Sequence, residues 1–139
     1  MRILPHLITT AERVLGVTTA SAHCDLRCGV YDPAQARIED ESVHTIMELY
    51  AKVTDPVFRQ RAILIKEQRA ELVKHHLWVL WTDYFKPEHL DAHPELHDLF
   101  WTATKLAGEA KHTVDAKVGQ QLLDAIGSID KIFWETKTA

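Results

Sequence analysis

Residues 55–84 read DPVFRQRAILIKEQRAELVKHHLWVLWTDY. Asp55 is a capping side chain, and Pro56 follows it at the first helical position, where a missing N–H costs nothing. From there no proline or glycine interrupts the run. Phe58, Ala62, Ile65, Arg69, Leu72 and Val79 recur at helical spacing, so the stretch predicts one long amphipathic helix from Pro56 to about Tyr84. Asp32-Pro33 repeats the start signal and opens a helix over Pro33 to Val53, with Glu39, Val43, Ile46 and Tyr50 on its stripe. Phe85 to His93, which holds Pro87, is the longest break, and His93-Pro94 is a weaker start signal. Beyond it a third helix carries Leu96, Leu99, Ala103 and Ala110. A fourth carries Val118, Leu122, Ile129 and Phe133 and ends near Trp134. No alternating strand pattern, repeat or low-complexity segment occurs. Four long helices with short connections predict an all-α, antiparallel four-helix bundle.

Composition narrows what such a bundle does. The chain has 139 residues, 46% apolar and 26% charged, which suits one domain with a buried core. Sixteen basic residues against twenty acidic ones leave a net charge of −4. Such a balance argues against a nucleic-acid partner, which selects for a basic stripe. No apolar run reaches the roughly 18–20 residues that span a bilayer, so no membrane partner is expected. The two cysteines, Cys24 and Cys28, are too close in sequence to staple a fold.

Two charges break the pattern. Glu39 and Arg69 both fall on stripes that otherwise point inward. A buried charge is costly unless paired, so each is the economical partner of the other. The alternative is that both long side chains sit at the stripe edge and reach out to water.

Residues 1–22, MRILPHLITTAERVLGVTTASA, differ from the rest. Ala20-Ser21-Ala22 has the small residues of a cleavage site. A secretory signal would need an unbroken apolar core of about 7–15 residues, and Pro5, His6, Glu12 and Arg13 interrupt this one. The stretch reads instead as a propeptide removed in the cytoplasm, leaving residues 23–139 as the mature domain. That domain carries 14 − 19 = −5, since Arg2, Arg13 and Glu12 leave with the leader.

Between leader and first helix lies His23-Cys24-Asp25-Leu26-Arg27-Cys28-Gly29-Val30-Tyr31-Asp32. Two thiols and an imidazole this close are soft and borderline metal ligands. A structural zinc site would want a second Cys/His pair elsewhere; isolated histidines follow at His75, His76, His89, His93 and His97, but no second Cys pair does, so the zinc reading is poor. A redox-labile disulfide is another reading. The later histidines, His75 and His76 among them, read as surface and core-edge residues rather than ligands. Cleavage after Ala22 would give His23 a free α-amine. That amine, the Cys24 amide nitrogen and the Cys24 sulfur then close two five-membered chelate rings. The Cys28 thiolate could fill the fourth in-plane position, and the His23 imidazole could swing over as an axial ligand. Square-planar preference points to Ni(II) or Cu(II), and copper is disfavoured by its reaction with thiolates.

The run HCDL-x-CGVYDPAQARIE at residues 23–39 resembles the N-terminal nickel hook of the nickel-containing superoxide dismutases. The similarity continues through IKEQRAELVKHH, LWTDYFKPEH, PELH and IDKIFWETK, nearly to the end of the chain. The resemblance implies a four-helix bundle with a metal-binding hook at residues 23–31 and one nickel ion per subunit. His23, Cys24 and Cys28 would be the ligands. It implies Ni(II)/Ni(III) cycling that converts superoxide to O2 and H2O2, an antioxidant activity in the cytoplasm. Tyr31 and Tyr84 match tyrosines beside the open axial face, Asp25 a residue that steadies the hook, and Lys86 a lysine near the channel mouth. Glu39 and Arg69 match the pair that orients the axial imidazole. Homohexamers and a dedicated processing protease are implied as well. Arg27 departs from the family, which has proline there in a cis bond. A cis bond costs about 2.5–4 kcal/mol before a non-proline residue, against about 0.5–1 before proline. Weaker nickel retention or slower hook closure is expected, unless the Arg27 charge serves to attract superoxide. Arg27 also favours the rival reading, a nickel-binding helical protein without turnover.

Overall fold

The computed structural model describes residues 28–138 and places five α-helices on them: α1 Ala34–Lys52, α2 Pro56–Val79, α3 Pro87–Ala92, α4 Leu96–His112 and α5 Ala116–Thr138. The starts follow the local chemistry. Asp55 Oδ2 accepts from the Phe58 N–H at 2.7 Å, satisfying an orphan donor of the first turn of α2. Asp32 Oδ1 takes the Ala34 N–H at 2.8 Å, and α1 starts at Ala34, one residue after the expected Pro33, which is its N-cap. The expected break at Phe85 to His93 holds α3, which Pro87 opens at its first turn. The last helix runs past Trp134 to Thr138.

Contacts between helices run in opposite directions along their partners. Arg69 meets Glu39 while Arg59 lies over the Tyr50 ring, so α1 and α2 are antiparallel. Lys66 reaches Ala110 while Trp81 packs on Phe100, which sets α2 against α4 in the same way. On α5, Gly119 faces His44 of α1. Lys137 reaches back to Gly29, just ahead of α1. Helices α1, α2, α4 and α5 thus enclose the core in a square, each packed on two neighbours. Antiparallel four-helix packing buries one face of every long helix with only short connections. Among the described residues there is no strand, and no helix is long and apolar enough to cross a membrane.

The buried faces are not all the predicted ones. On α5 the stripe of Val118, Leu122, Ile129 and Phe133 is buried throughout. On α4, Leu96, Ala103 and Ala110 are buried and Leu99 is half-buried. On α2 the core positions are Ala62, Lys66, Ala70, Val73 and Leu77. Of the predicted α2 stripe only Ala62 is among them, and Leu72 is exposed. On α1, Asp40 and Met47 join Val43 inside, while Ile46 and Tyr50 stay at the edge. The reason is that α2 mixes apolar and charged residues around its circumference, leaving Val57, Ile63, Leu64 and Trp78 exposed while Lys66 is buried. Periodicity therefore could not select its inner face. The inner face chosen carries two alanines, Ala62 and Ala70, beside Lys66, Val73 and Leu77.

Candidate metal centre

Cys28 is a free, exposed thiol. Gly29 follows it with φ +72°, left-handed backbone that a side chain rarely adopts. That turn carries the chain into Tyr31, which is half-buried against the bundle. Tyr84 meets it from the far end of α2, with ring centroids 5.7 Å apart.

Tyr84 gets there because α2 does not end as an ordinary helix. Leu80–Tyr84 form a π-helical turn, in which the Phe85 N–H reaches back five residues to the Leu80 carbonyl at 3.0 Å. Single π-turns recur at functional sites because they re-aim side chains. Here the turn buries both Leu80 and Phe85 and packs Tyr84 between Phe85 and Phe133, 5.0 and 4.4 Å away. Lys86 then goes extended, as a residue before proline must.

The result is a cleft of about 770 Å³. Gly29, Tyr31, Thr82, Asp83, Tyr84, Phe85, Lys86, Pro87, His89 and Thr136 line it. Three of the sequence-derived residues, Tyr31, Tyr84 and Lys86, therefore share one cleft whose edge is the residue after Cys28. His89 stacks on Tyr84 at 5.7 Å and accepts the Lys86 N–H on Nδ1 at 3.3 Å. Thr136, given no role by the sequence, closes the opposite wall, with Lys137 next to it on α5. Thr136 Oγ1 is 2.8 Å from the Tyr84 hydroxyl. Lys137 Nζ lies 3.5 Å from the Gly29 carbonyl and 5.2 Å from the Phe133 ring centroid. The signal was present in outline: Thr136 is three residues after Phe133, on the same face of α5.

Glu39 and Arg69 form an ion pair, Arg69 Nη1 donating to Glu39 Oε2 at 3.1 Å and to Oε1 at 3.3 Å. The Arg69 side chain is 43% exposed and that of Glu39 17%, so both earlier readings hold in part: the two are partners and sit at the stripe edge. Arg69 lines a groove with Ile38, Ser42 and Ile65. The charges that enter the core are their neighbours. Lys66 is buried, its ammonium donating to the carbonyls of Ala110 and, at 3.0 Å, Lys111. Burial lowers its pKa, with Glu67 opposing. Asp40 is fully buried with no hydrogen-bond partner on either carboxylate oxygen. Burial, and secondarily Glu41, raises its pKa from 3.8 to about 8. Neither was foreseen, because one residue's step on a helix turns a side chain by about 100°.

His23, Cys24, Asp25 and Arg27 lie outside the described residues, as does the leader. Among the described residues no group of three or more His, Cys, Asp or Glu could hold a metal. An unpaired, accessible thiol beside a tyrosine-walled cleft fits a thiophilic metal such as nickel.

Residues 18–137 match the family model of nickel-containing superoxide dismutase. The chain is 60% identical over 121 residues to the nickel superoxide dismutase of Streptomyces coelicolor, covering 87% of this chain and 92% of that one. To the corresponding protein of Streptomyces seoulensis it is 62% identical over 119 residues, 86% of this chain and 91% of that one. The solved structure of native nickel superoxide dismutase superimposes with a TM-score of 0.82 at 60% identity, over 84% of this chain and all of that one. A structure in the oxidised state of nickel ligation gives 0.82 at 62% identity, with the same coverage. By sequence along almost its whole length, and by the fold that sequence adopts, this chain belongs to the nickel-containing superoxide dismutases.

Proposed function

We propose that the mature chain, residues 23–139, dismutates superoxide at one nickel ion per subunit held by His23, Cys24 and Cys28. The family makes the chain an oxidoreductase acting on superoxide, with nickel as its cofactor. The observation that carries the placement of the site is the cleft walled by Tyr31, Tyr84 and Lys86, whose rim continues directly into the free Cys28 thiol. Nickel, when bound, supplies the Ni(II)/Ni(III) couple through which one superoxide is oxidised to O2 and another, with two protons, is reduced to H2O2.

The chain's residues set the conditions for that exchange. Cleavage after Ala22 frees the His23 amine as a donor; with the leader attached that nitrogen is an amide. Cys24 and Cys28 provide anionic sulfur, which favours the more highly charged metal. Tyr31 and Tyr84 limit the approach to the metal from the cleft side. Lys86, exposed on the rim, offers local positive potential to an anion approaching a protein of negative net charge. Asp25 steadies the hook, and the Glu39–Arg69 pair orients the His23 imidazole, each holding the other in place. A homohexamer is supported by exposed apolar residues on the outer faces of α1 and α2, among them Ile38, Val57 and Leu64 at 53%, 63% and 63% exposure. A processing protease and a cytoplasmic location belong to the same reading.

Intact mass, bound metal and superoxide removal measured on one preparation test it. Residues 23–139 with about one nickel per chain should remove superoxide far faster than free nickel, and the uncut chain should not. Firm nickel binding without turnover in the cut chain would favour the non-catalytic reading that Arg27 raises. Nickel bound equally well by the uncut chain would overturn the role of the amine.

A further inference from the structure

At the cleft wall three oxygens lie in a chain. The Tyr84 hydroxyl is 2.8 Å from Thr136 Oγ1, which is 2.7 Å from the Phe133 carbonyl; Tyr84 itself is 3.5 Å from that carbonyl. Each hydroxyl has one proton, and a carbonyl only accepts. Two arrangements link all three oxygens and keep both hydroxyl protons among them. Thr136 donates to Phe133 and Tyr84 donates to Thr136, using the contacts at 2.7 and 2.8 Å. Alternatively Thr136 donates to Tyr84 and Tyr84 donates to Phe133 across 3.5 Å, where a hydroxyl bond has lost most of its strength. The first arrangement has two short bonds and the second has one. A threonine bonding back to a carbonyl of the preceding turn is also an ordinary helical habit.

We infer that Thr136 is a positioning residue that fixes the Tyr84 hydroxyl proton away from the cleft, so that Tyr84 meets the cleft contents as an acceptor. This rests on the reading of the tyrosine cleft as the superoxide site. An acceptor suits species that bring protons, namely water and the product H2O2. It offers nothing to the superoxide anion, whose attraction is left to Lys86. Tyr84 thereby favours the protonated end of the reaction at the point where product must form and leave.

The vibrational doublet of tyrosine distinguishes a phenol that donates from one that accepts. Ultraviolet resonance Raman spectra of the nickel-free full-length chain, with Tyr84→Phe subtracted to remove the contributions of Tyr31 and Tyr50, isolate Tyr84. It should show a donor signature in the parent chain. Thr136→Val should lose that signature, and Thr136→Ser should retain it. An acceptor signature in the parent, or no change in Thr136→Val, would overturn the assignment whether or not the protein is a dismutase. In nickel-loaded residues 23–139, Thr136→Val should lower superoxide removal about threefold to tenfold, the scale of one hydrogen bond, and Thr136→Ser should restore it. Full turnover in Thr136→Val would sever Thr136 from the reaction. An inactive parent would count against the cleft reading, while the spectra still decide the bond.

Discussion

Between α1 and α2 the chain places four charges in adjacent layers, and they meet different fates. Glu39 and Arg69 reach the edge of the interface and pair with each other, partly in water. Asp40 and Lys66, their neighbours on the inner side, are buried and do not pair with each other. Lys66 has found a helix end. The Ala110 and Lys111 carbonyls belong to the last turn of α4, where backbone acceptors have no partner within the helix. A cation there also meets the negative end of the helix dipole. Asp40 lies mid-helix, between Ala36 of one core cluster and Val43 of the other. The backbone donors around it are already used within the helices. A buried charge is tolerable where secondary structure leaves a complementary group unspent, and costly where it does not.

The largest break in this comparison should come from Lys66. Lys66→Ala removes both the packed stem and the helix-end bonds and should destabilise the fold by about 3 kcal/mol in chemical denaturation. Lys66→Met keeps the stem and should lose only about 1–2 kcal/mol. A Lys66→Met midpoint equal to that of the parent would show that the carbonyl contacts contribute nothing.

Asp40 should respond with the opposite sign. Its folded pKa of about 8 lies above the unfolded value of 3.8. Between those values the folded chain holds a proton that the unfolded chain has released. Stability is therefore full below pH 3.8 and falls as pH rises toward and through 8. Asp40→Ala should leave stability near that of the parent around pH 4 and raise it by about 2–4 kcal/mol at pH 8.5, since relaxation and water entry soften the full cost. A melting temperature for Asp40→Ala that parallels the parent at every pH would mean that the carboxyl is already satisfied.

One turn along from Asp40, α1 touches α5 through Gly119. A Cβ there would lie 3.0 Å from both Cα and Cβ of His44. Alanine ordinarily stabilises a helix relative to glycine. Gly119→Ala should nonetheless destabilise by about 1–2 kcal/mol, because backbone must move. A gain in thermal stability would show that the two helices have slack.

The edge pair should matter least to the fold. Arg69→Ala should change unfolding free energy by less than about 1 kcal/mol, the usual worth of a partly exposed pair. It should lower superoxide removal by the nickel-loaded enzyme much more than that if the pair orients the imidazole. Equal, small effects on both would leave Glu39 and Arg69 with no more than a surface role.

The legible part of this molecule was local. Helix starts at Asp32 and Asp55 are written in the capping residues, and the inner faces of α4 and α5 in clean apolar stripes. His23, Cys24 and Cys28 fall within six residues of one another, so the chelating role proposed for them can be read without a fold. Only the tertiary structure decided which face of α2 turns inward, because apolar and charged residues are mixed around that helix and packing against α1 and α4 broke the tie. It also brought Thr136 of α5 onto Tyr84 through a π-turn that periodicity does not encode, and gave Lys66 a helix end 44 residues away. Short-range chemistry depends on neighbours along the chain and can be read from them. A buried polar group's partner is set by helix register and helix ends, which exist only once the bundle has formed.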